Sequence, residues 1–281
     1  MIEGNALKIE NNVEVNNQNE FTGIKAKADF TPLIETTNNG LLYLGDKLGK
    51  PLVGAIECLF WAKIIEKCHT EPYFSMMCEL KLLPFLKNDF APKYFAIPEA
   101  NRIPPNMRIA KAVFENVIDL EAHETTLKEM FANLLAGSMD NRKSDGIHPS
   151  YAKLISEFSE EDARFLMSLY ERKEIPALRY HNDNIQNYKI CRKTVDYGDQ
   201  SSVMISRIES KQLLDTESRG FANSYDNHVF TNYFQETEEL LKTELGNTRL
   251  STQRLCLRLT ELGQHFMQAV TLQESPTDEK S

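Results

Sequence analysis

The sequence predicts a mainly α-helical protein, a core of several amphipathic helices with a small strand element near the C-terminus. Three observations point there. Apolar residues recur three and four positions apart from Leu41 to Tyr170, the spacing of a helix face. Prolines and capping residues fall between those runs. Alternation with period two is confined to the last third of the chain.

Residues 1 to 35 read as a disordered polar leader, because their isolated apolar residues cannot offset the entropy of ordering the backbone. Leu41, Leu44, Leu48, Leu52, Ile56, Leu59, Phe60 and Ile64 then line one helix face. Gly45, Gly49, Gly54 and Pro51 weaken it, so a break is expected near Gly49 and a better helix from Pro51. A second helix starts at Glu71-Pro72 and carries Phe74, Met77, Leu80 and Leu83 inward until Pro84 kinks or ends it. Four prolines between Ala91 and Pro105 predict a loop.

Two amphipathic helices follow, one on Ile109, Val113 and Val117, the next on Leu127, Met130, Phe131, Leu134 and Leu135, ended by Gly137. His148-Pro149 opens another, burying Tyr151, Leu154, Ile155 and Phe158, with His148 as a cap or turn residue. Ser159 caps the next, whose buried side is Phe165, Leu166, Leu169 and Tyr170, and Glu160, Glu161 and Asp162 suit its positive end. Between Ile175 and Asn227 the pattern loosens, with a strand suggested at Lys189 to Val195. Phe230 to Leu245 is helical. Leu255, Leu257 and Leu259 alternate as a strand, and Thr260 leads into a helix with Leu262, Phe266 and Val270. Strand and flanking helices look like the end of a winged helix. The expected organisation is leader 1–35, helical domain 36–172, winged-helix-like region 173–271 and disordered tail 272–281.

A net charge of −9, from 41 acidic against 32 basic residues, supplies no overall field for phosphate or anionic membranes. Met1 to Asn19 has neither the basic nor the apolar segment of a signal peptide, which predicts a cytoplasmic protein. Five cysteines without a Cys-x-x-Cys pair argue against a disulfide framework. Leu41 to Ile65 carries Asp46, Lys47, Lys50, Glu57 and Lys63, too many charges for a simple transmembrane helix.

Few patterns suggest chemistry. The sequence contains no Gly-x-Gly-x-x-Gly, Gly-x-x-x-x-Gly-Lys-Ser/Thr or Gly-x-Ser-x-Gly motif. Cys58, Cys68 and Cys78, with His69, match no usual zinc-ligand spacing and read as buried helix cysteines. His123 beside Glu121 and Glu124 reads as a solvated turn, and Trp61 as core packing with a membrane or partner contact as its rival. No cofactor, metal or catalytic residue is expected. The one candidate surface is a loop in which Arg179, Tyr180, Tyr188, Lys189, Arg192 and Lys193 mix basic and aromatic side chains, the mix that grips phosphate and stacks bases.

Taken in order, Leu44-Gly45-Asp46, Phe131-Ala132-Asn133-Leu134-Leu135, His148-Pro149-Ser150, Phe158-Ser159-Glu160-Glu161-Asp162-Ala163 and Leu259-Thr260-Glu261-Leu262-Gly263-Gln264-His265-Phe266 form a set. The set resembles the abortive infection alpha family of bacterial proteins over about residues 40 to 270. Phe131 stands where the family pattern leads one to expect tryptophan, and the stretch from Ile175 to Asn227 departs from it. The resemblance implies bacteriophage resistance and transfers no catalytic residue. The expectation is therefore a non-enzymatic defence protein that binds a phage or host protein, with homo-oligomerisation open. A nucleic-acid-binding winged-helix regulator and a membrane-perturbing effector acting through Leu41 to Ile65 are the rivals; a site built from sequence-distant residues would leave no local motif.

Overall fold

The computed structural model describes residues 64, 66–68, 70–182, 185–190, 201–217, 227–245 and 251–271. The chain divides into two compact units, Met1–Leu80 and Lys81–Ser281. Apart from Ile64, the helix face read from Leu41 lies outside the described residues, as do Trp61, Cys58 and both expected disordered termini.

In the first unit, helix α1 (Pro72–Met77) starts as the sequence predicts, with Pro72 at its first turn. Its buried side differs. Phe74, Met77 and Leu83 are half-buried and Leu80 is 63% exposed, whereas Ser75, Cys78, Leu82, Phe85 and Leu86 are buried. The cause is two π-helical turns, Cys78–Leu82, which runs across the division at Leu80, and Phe85–Phe90, which belongs to the second unit. Bonds from i to i+5 widen the turn, so a face extrapolated from Phe74 at helical period drifts off the buried side. Pro84 does not end the helical path; it precedes the second wide turn. Nor is Ala91 to Pro105 wholly a loop, since α2 (Ala91–Ala96) has Pro92 in its first turn, where a missing N–H costs nothing.

The second unit is arranged around α4 (Thr125–Gly137), in which every residue from Met130 to Gly137 is buried. A helix buried all round is a core helix. Packed on it are the Phe85–Phe90 turn, α3 (Met107–Asp119), α5 (Ser150–Ser156), α6 (Glu160–Arg172) and, most extensively, the C-terminal α9 (Glu261–Thr271). The expected inward residues of α3, α4 and α6 are all buried, and Gly137 ends α4. In α5 and its exit Tyr151, Ile155 and Phe158 are buried, with Leu154 only half-buried.

The strand element is larger than the sequence suggests. A four-stranded antiparallel sheet runs in the order β2-β1-β4-β3. Its strands are β1 (Glu174–Asn182), β2 (Ile185–Ile190), β3 (Leu214–Glu217) and β4 (Ser251–Leu259). Helix α7 (Ser201–Ser210) lies between β2 and β3 in sequence, and α8 (Asn227–Leu245) between β3 and β4. Of the strand expected at Lys189 to Val195, Lys189 and Ile190 end β2 and residues 191–195 lie outside the described residues, while β1 shows no alternation for the sequence to signal. Ile175, Pro176, Ala177 and Leu178 are all buried, so β1 is covered on both faces there and carries no period-two signal. On β4 the alternation is real, Leu255, Leu257 and Leu259 being buried between exposed Arg254 and Arg258, while Cys256 is buried too.

Candidate functional site

The basic and aromatic residues fall on a hairpin, not the expected loop. Arg179 and Tyr180 belong to β1, Tyr188 and Lys189 to β2; Arg192 and Lys193 lie outside the described residues. The register sets Arg179 opposite Tyr188, Leu178 opposite Lys189 and Tyr180 opposite Asn187. On its other side Arg179 faces Gln253 of β4. The ladder therefore joins Arg179 to Tyr188 and leaves Lys189 one register step away. Arg179 itself is half-buried.

Nearby charges on the sheet are committed. Arg258 donates to Glu174 from Nη2 at 2.8 Å, and Arg254 donates from Nε to Glu238 at 3.2 Å while its guanidinium lies over the Phe234 ring, 5.2 Å from the centroid. Cys256 is buried beside Glu174, and burial with that carboxylate pushes its thiol up to about 12. It stays protonated at neutral pH and is a poor nucleophile.

The sequence motifs converge elsewhere, around α9. Phe266 meets the ring of Tyr151 edge-on at 5.5 Å and that of Phe158 at 6.0 Å. Asn133 of α4, 3% exposed, donates through Nδ2 to the Val270 carbonyl at 2.7 Å. Thr260 caps the helix, its Oγ1 accepting from Gly263 N–H at 3.0 Å and donating to the Gln212 carbonyl at 2.6 Å. A Cβ at Gly263 would sit 2.3 Å from the Leu213 carbonyl oxygen, so only glycine lets α9 approach the corner before β3 so closely. Gln212 holds that corner in the left-handed region at φ 60°. By contrast Leu262, expected inside, is 42% exposed.

The acidic cap at Phe158-Ser159-Glu160-Glu161-Asp162 does more than suit a helix dipole. Ser159 and Asp162 form a capping box, Asp162 accepting from the Ser159 N–H at 2.8 Å and Ser159 Oγ from the Asp162 N–H at 3.3 Å. Asp162 is fully buried, and Arg207 of α7 donates to its other oxygen at 2.7 Å. Lys211 pairs with Glu157. Glu160, 6% exposed, accepts from the backbone N–H groups of Thr126 (3.0 Å) and Leu127 (3.2 Å), from Thr126 Oγ1 (2.7 Å) and from Arg164 (3.1 Å). It thereby caps α4, whose own N-cap residue, Glu124, makes no side-chain cap. Burial opposes its charge, but those donors outweigh it and hold the carboxyl below its ordinary value. The sequence signals the local box through Ser-x-x-Asp; nothing local signals partners 34 and 45 residues away.

His148 is a turn residue as expected, its Nδ1 lying 2.7 Å from Ser150 Oγ and accepting from Ser150 N–H at 3.2 Å. His123 pairs with Glu121 at 3.3 Å, both well exposed. Among the described residues, no group of three or more His, Cys, Asp and Glu side chains is placed to hold a metal, and no helix is long and apolar enough to cross a membrane.

The family pattern of abortive infection alpha matches residues 79–270, more than half of the chain. The chain belongs to the abortive infection alpha family. Leu44-Gly45-Asp46 falls outside the matched span; the four later motifs fall inside it. No curated protein matches the sequence. Among solved structures, an uncharacterized protein from the hydrocarbon-degrading marine bacterium Alcanivorax borkumensis SK2 aligns over 47% of this chain and 96% of its own, with 13% identity and a TM-score of 0.30. A likeness at that level carries no argument about function.

Proposed function

We propose that this member of the abortive infection alpha family acts in antiphage defence by binding a protein of the phage or the host, without chemistry of its own. The observation that carries the proposal is the family match across residues 79–270. The polar side chains of its motifs support the binding half: Glu160, Asp162, Thr260 and His148 are engaged in caps, ion pairs and turns. Such residues build a shape for a partner to recognise. The test is plating of a diverse phage panel on a sensitive host with and without the expressed protein. Reduced plating on some phages is expected; unchanged plating on all of them overturns the proposal.

A second reading, a nucleic-acid-binding regulator with a winged-helix-like end, is favoured by the pairing of Arg179 with Tyr188 on the β1–β2 hairpin. Its affinity for duplex DNA would fall steeply with salt and drop further in Arg179→Ala. A flat salt response removes this reading.

A further inference from the structure

The sheet has two outer strands, β2 and β3, and one hydrogen bond fixes which backbone groups each of them turns outward. Thr260 N–H donates to the Leu213 carbonyl at 3.0 Å, one register step outside the Leu214–Leu259 pair. Bonded and non-bonded pairs alternate along an antiparallel ladder, so Asp215–Arg258 and Glu217–Cys256 are the bonded pairs of β3 with β4. A strand residue turns its N–H and C=O to the same side. Leu255 and Leu257 of β4 therefore turn theirs to Ala177 and Ile175 of β1, and Leu178, Tyr180 and Asn182 turn theirs to Lys189, Asn187 and Ile185 of β2. The hairpin agrees, because only two residues separate Asn182 from Ile185 and a two-residue connection closes on a bonded pair. What remains is the N–H and C=O of Gln186, Tyr188 and Ile190, which point away from β1 at the edge of the sheet. Among the described residues, β2 is paired with β1 alone. Helix α7 packs on both outer strands, so it crosses a face of the sheet and does not extend an edge.

The two edges are unlike. Strand β3 is four residues long and two of them, Asp215 and Glu217, are acidic; short length and charge are how proteins keep an edge from pairing. Strand β2 runs for six residues, Ile-Gln-Asn-Tyr-Lys-Ile, with one charge, no proline and an unbroken register. We propose that the β2 edge is a dimer interface: two copies of this chain pair their β2 strands antiparallel about a two-fold axis at Tyr188, joining their sheets into one. The outward groups select both the occupant and the register. With Tyr188 opposite Tyr188 of the second copy, Gln186 falls opposite Ile190 on either side of the axis, which gives three bonded pairs with two hydrogen bonds in each. Every other antiparallel register within β2 keeps two such pairs or fewer. Lys189 then stands opposite Asn187, so the one charge of the strand meets no like charge. A β3–β3 contact offers only the outward groups of Leu214 and Thr216, and its longest register sets Asp215 opposite Asp215. A contact of β2 with β3 of another copy does not close on itself and runs on as a fibre.

The test weighs the full chain by sedimentation equilibrium. The expected mass is that of two chains at about 0.1 mM, a concentration at which a dimer with a Kd of about 1 μM is mostly formed. Tyr188→Pro removes an outward N–H and none that bonds β1, so it halves the mass while the far-UV circular dichroism stays unchanged. Tyr188→Cys, mildly oxidised, gives a second readout, because the Cα atoms of a bonded pair stand about 5.5 Å apart, within reach of a disulfide. Residues 180–189 form a tryptic peptide with no native cysteine, so recovery of that peptide linked to itself through residue 188 marks the register. A monomer at every concentration overturns the proposal and leaves the edge to a strand of another protein. A dimer that persists in folded Tyr188→Pro overturns it as well, since another surface then holds the copies together. Should Tyr188→Pro not fold, absence of the linked peptide from oxidised Tyr188→Cys overturns the proposal in its place.

Discussion

Removing the Glu160 carboxylate tests whether the acidic cap is a structural joint. Glu160→Ala leaves the Thr126 and Leu127 N–H groups and the Thr126 hydroxyl without their acceptor at the start of α4. Loss of a helix cap costs about 0.5–2 kcal/mol, and each buried donor left unpaired about 1–3 kcal/mol. The carboxylate is at the edge of the core, so water re-solvates part of the set, and a total of about 2–4 kcal/mol is expected. Glu160→Gln keeps one acceptor oxygen and loses the charge that Arg164 sees, so its cost is smaller, about 1–2 kcal/mol. Urea unfolding followed by far-UV circular dichroism measures both. The midpoint falls in the order wild type, Gln, Ala, with the slope unchanged. A loss below about 0.5 kcal/mol for Glu160→Ala, the size of an ordinary surface change, refutes the reasoning.

Other outcomes follow from the same contacts. Gly263→Ala drives a methyl into the Leu213 backbone carbonyl and costs about 2 kcal/mol or more, read as a lower urea midpoint; a neutral result means α9 does not approach that corner so closely. Arg207→Ala leaves the fully buried Asp162 carboxylate with its capping bonds alone and costs about 1–3 kcal/mol, whereas Lys111→Ala, which breaks only an exposed pair with Glu115, stays within about 0.5 kcal/mol. The two urea midpoints measured side by side decide it. Acid destabilises the fold in a defined window. Glu160 and Asp140 are held below their ordinary values of 4.5 and 3.8, Asp140 chiefly by the Arg142 guanidinium. Their contribution is therefore full above the unfolded values and is lost as pH falls through the lower folded ones. The urea midpoint should be flat from neutral pH to about 4.5 and then fall, with a shallower fall in Glu160→Gln; a midpoint that drops while still above that range contradicts the assignment.

What could be read in the sequence, and what could not, divides along the range of the interactions. Helices α3, α4 and α6 were legible because their cores and caps are local: Ile109, Val113 and Val117 repeat on one face, and Ser159 reaches Asp162 three residues on. The Phe74 face failed because wide turns break the period that the extrapolation assumed. Strand β1 failed because burial on both faces erases alternation, leaving Arg179 and Tyr180 to read as loop. The motif set was legible as an ordered pattern, but its physical content was not. That Phe266 touches Tyr151 and Phe158, or that Glu160 caps a helix 34 residues earlier, is tertiary information with no local trace.

The proposed function is tested most directly in infected cells. A sensitive host carrying the protein is infected so that nearly every cell receives a phage, and survival of the infected cells is measured together with the phage they release. Abortive defence predicts that, for at least one phage, infected cells arrest or die while releasing few progeny, so that the surrounding population is spared. Normal phage yield from those cells on every phage tested would contradict the account.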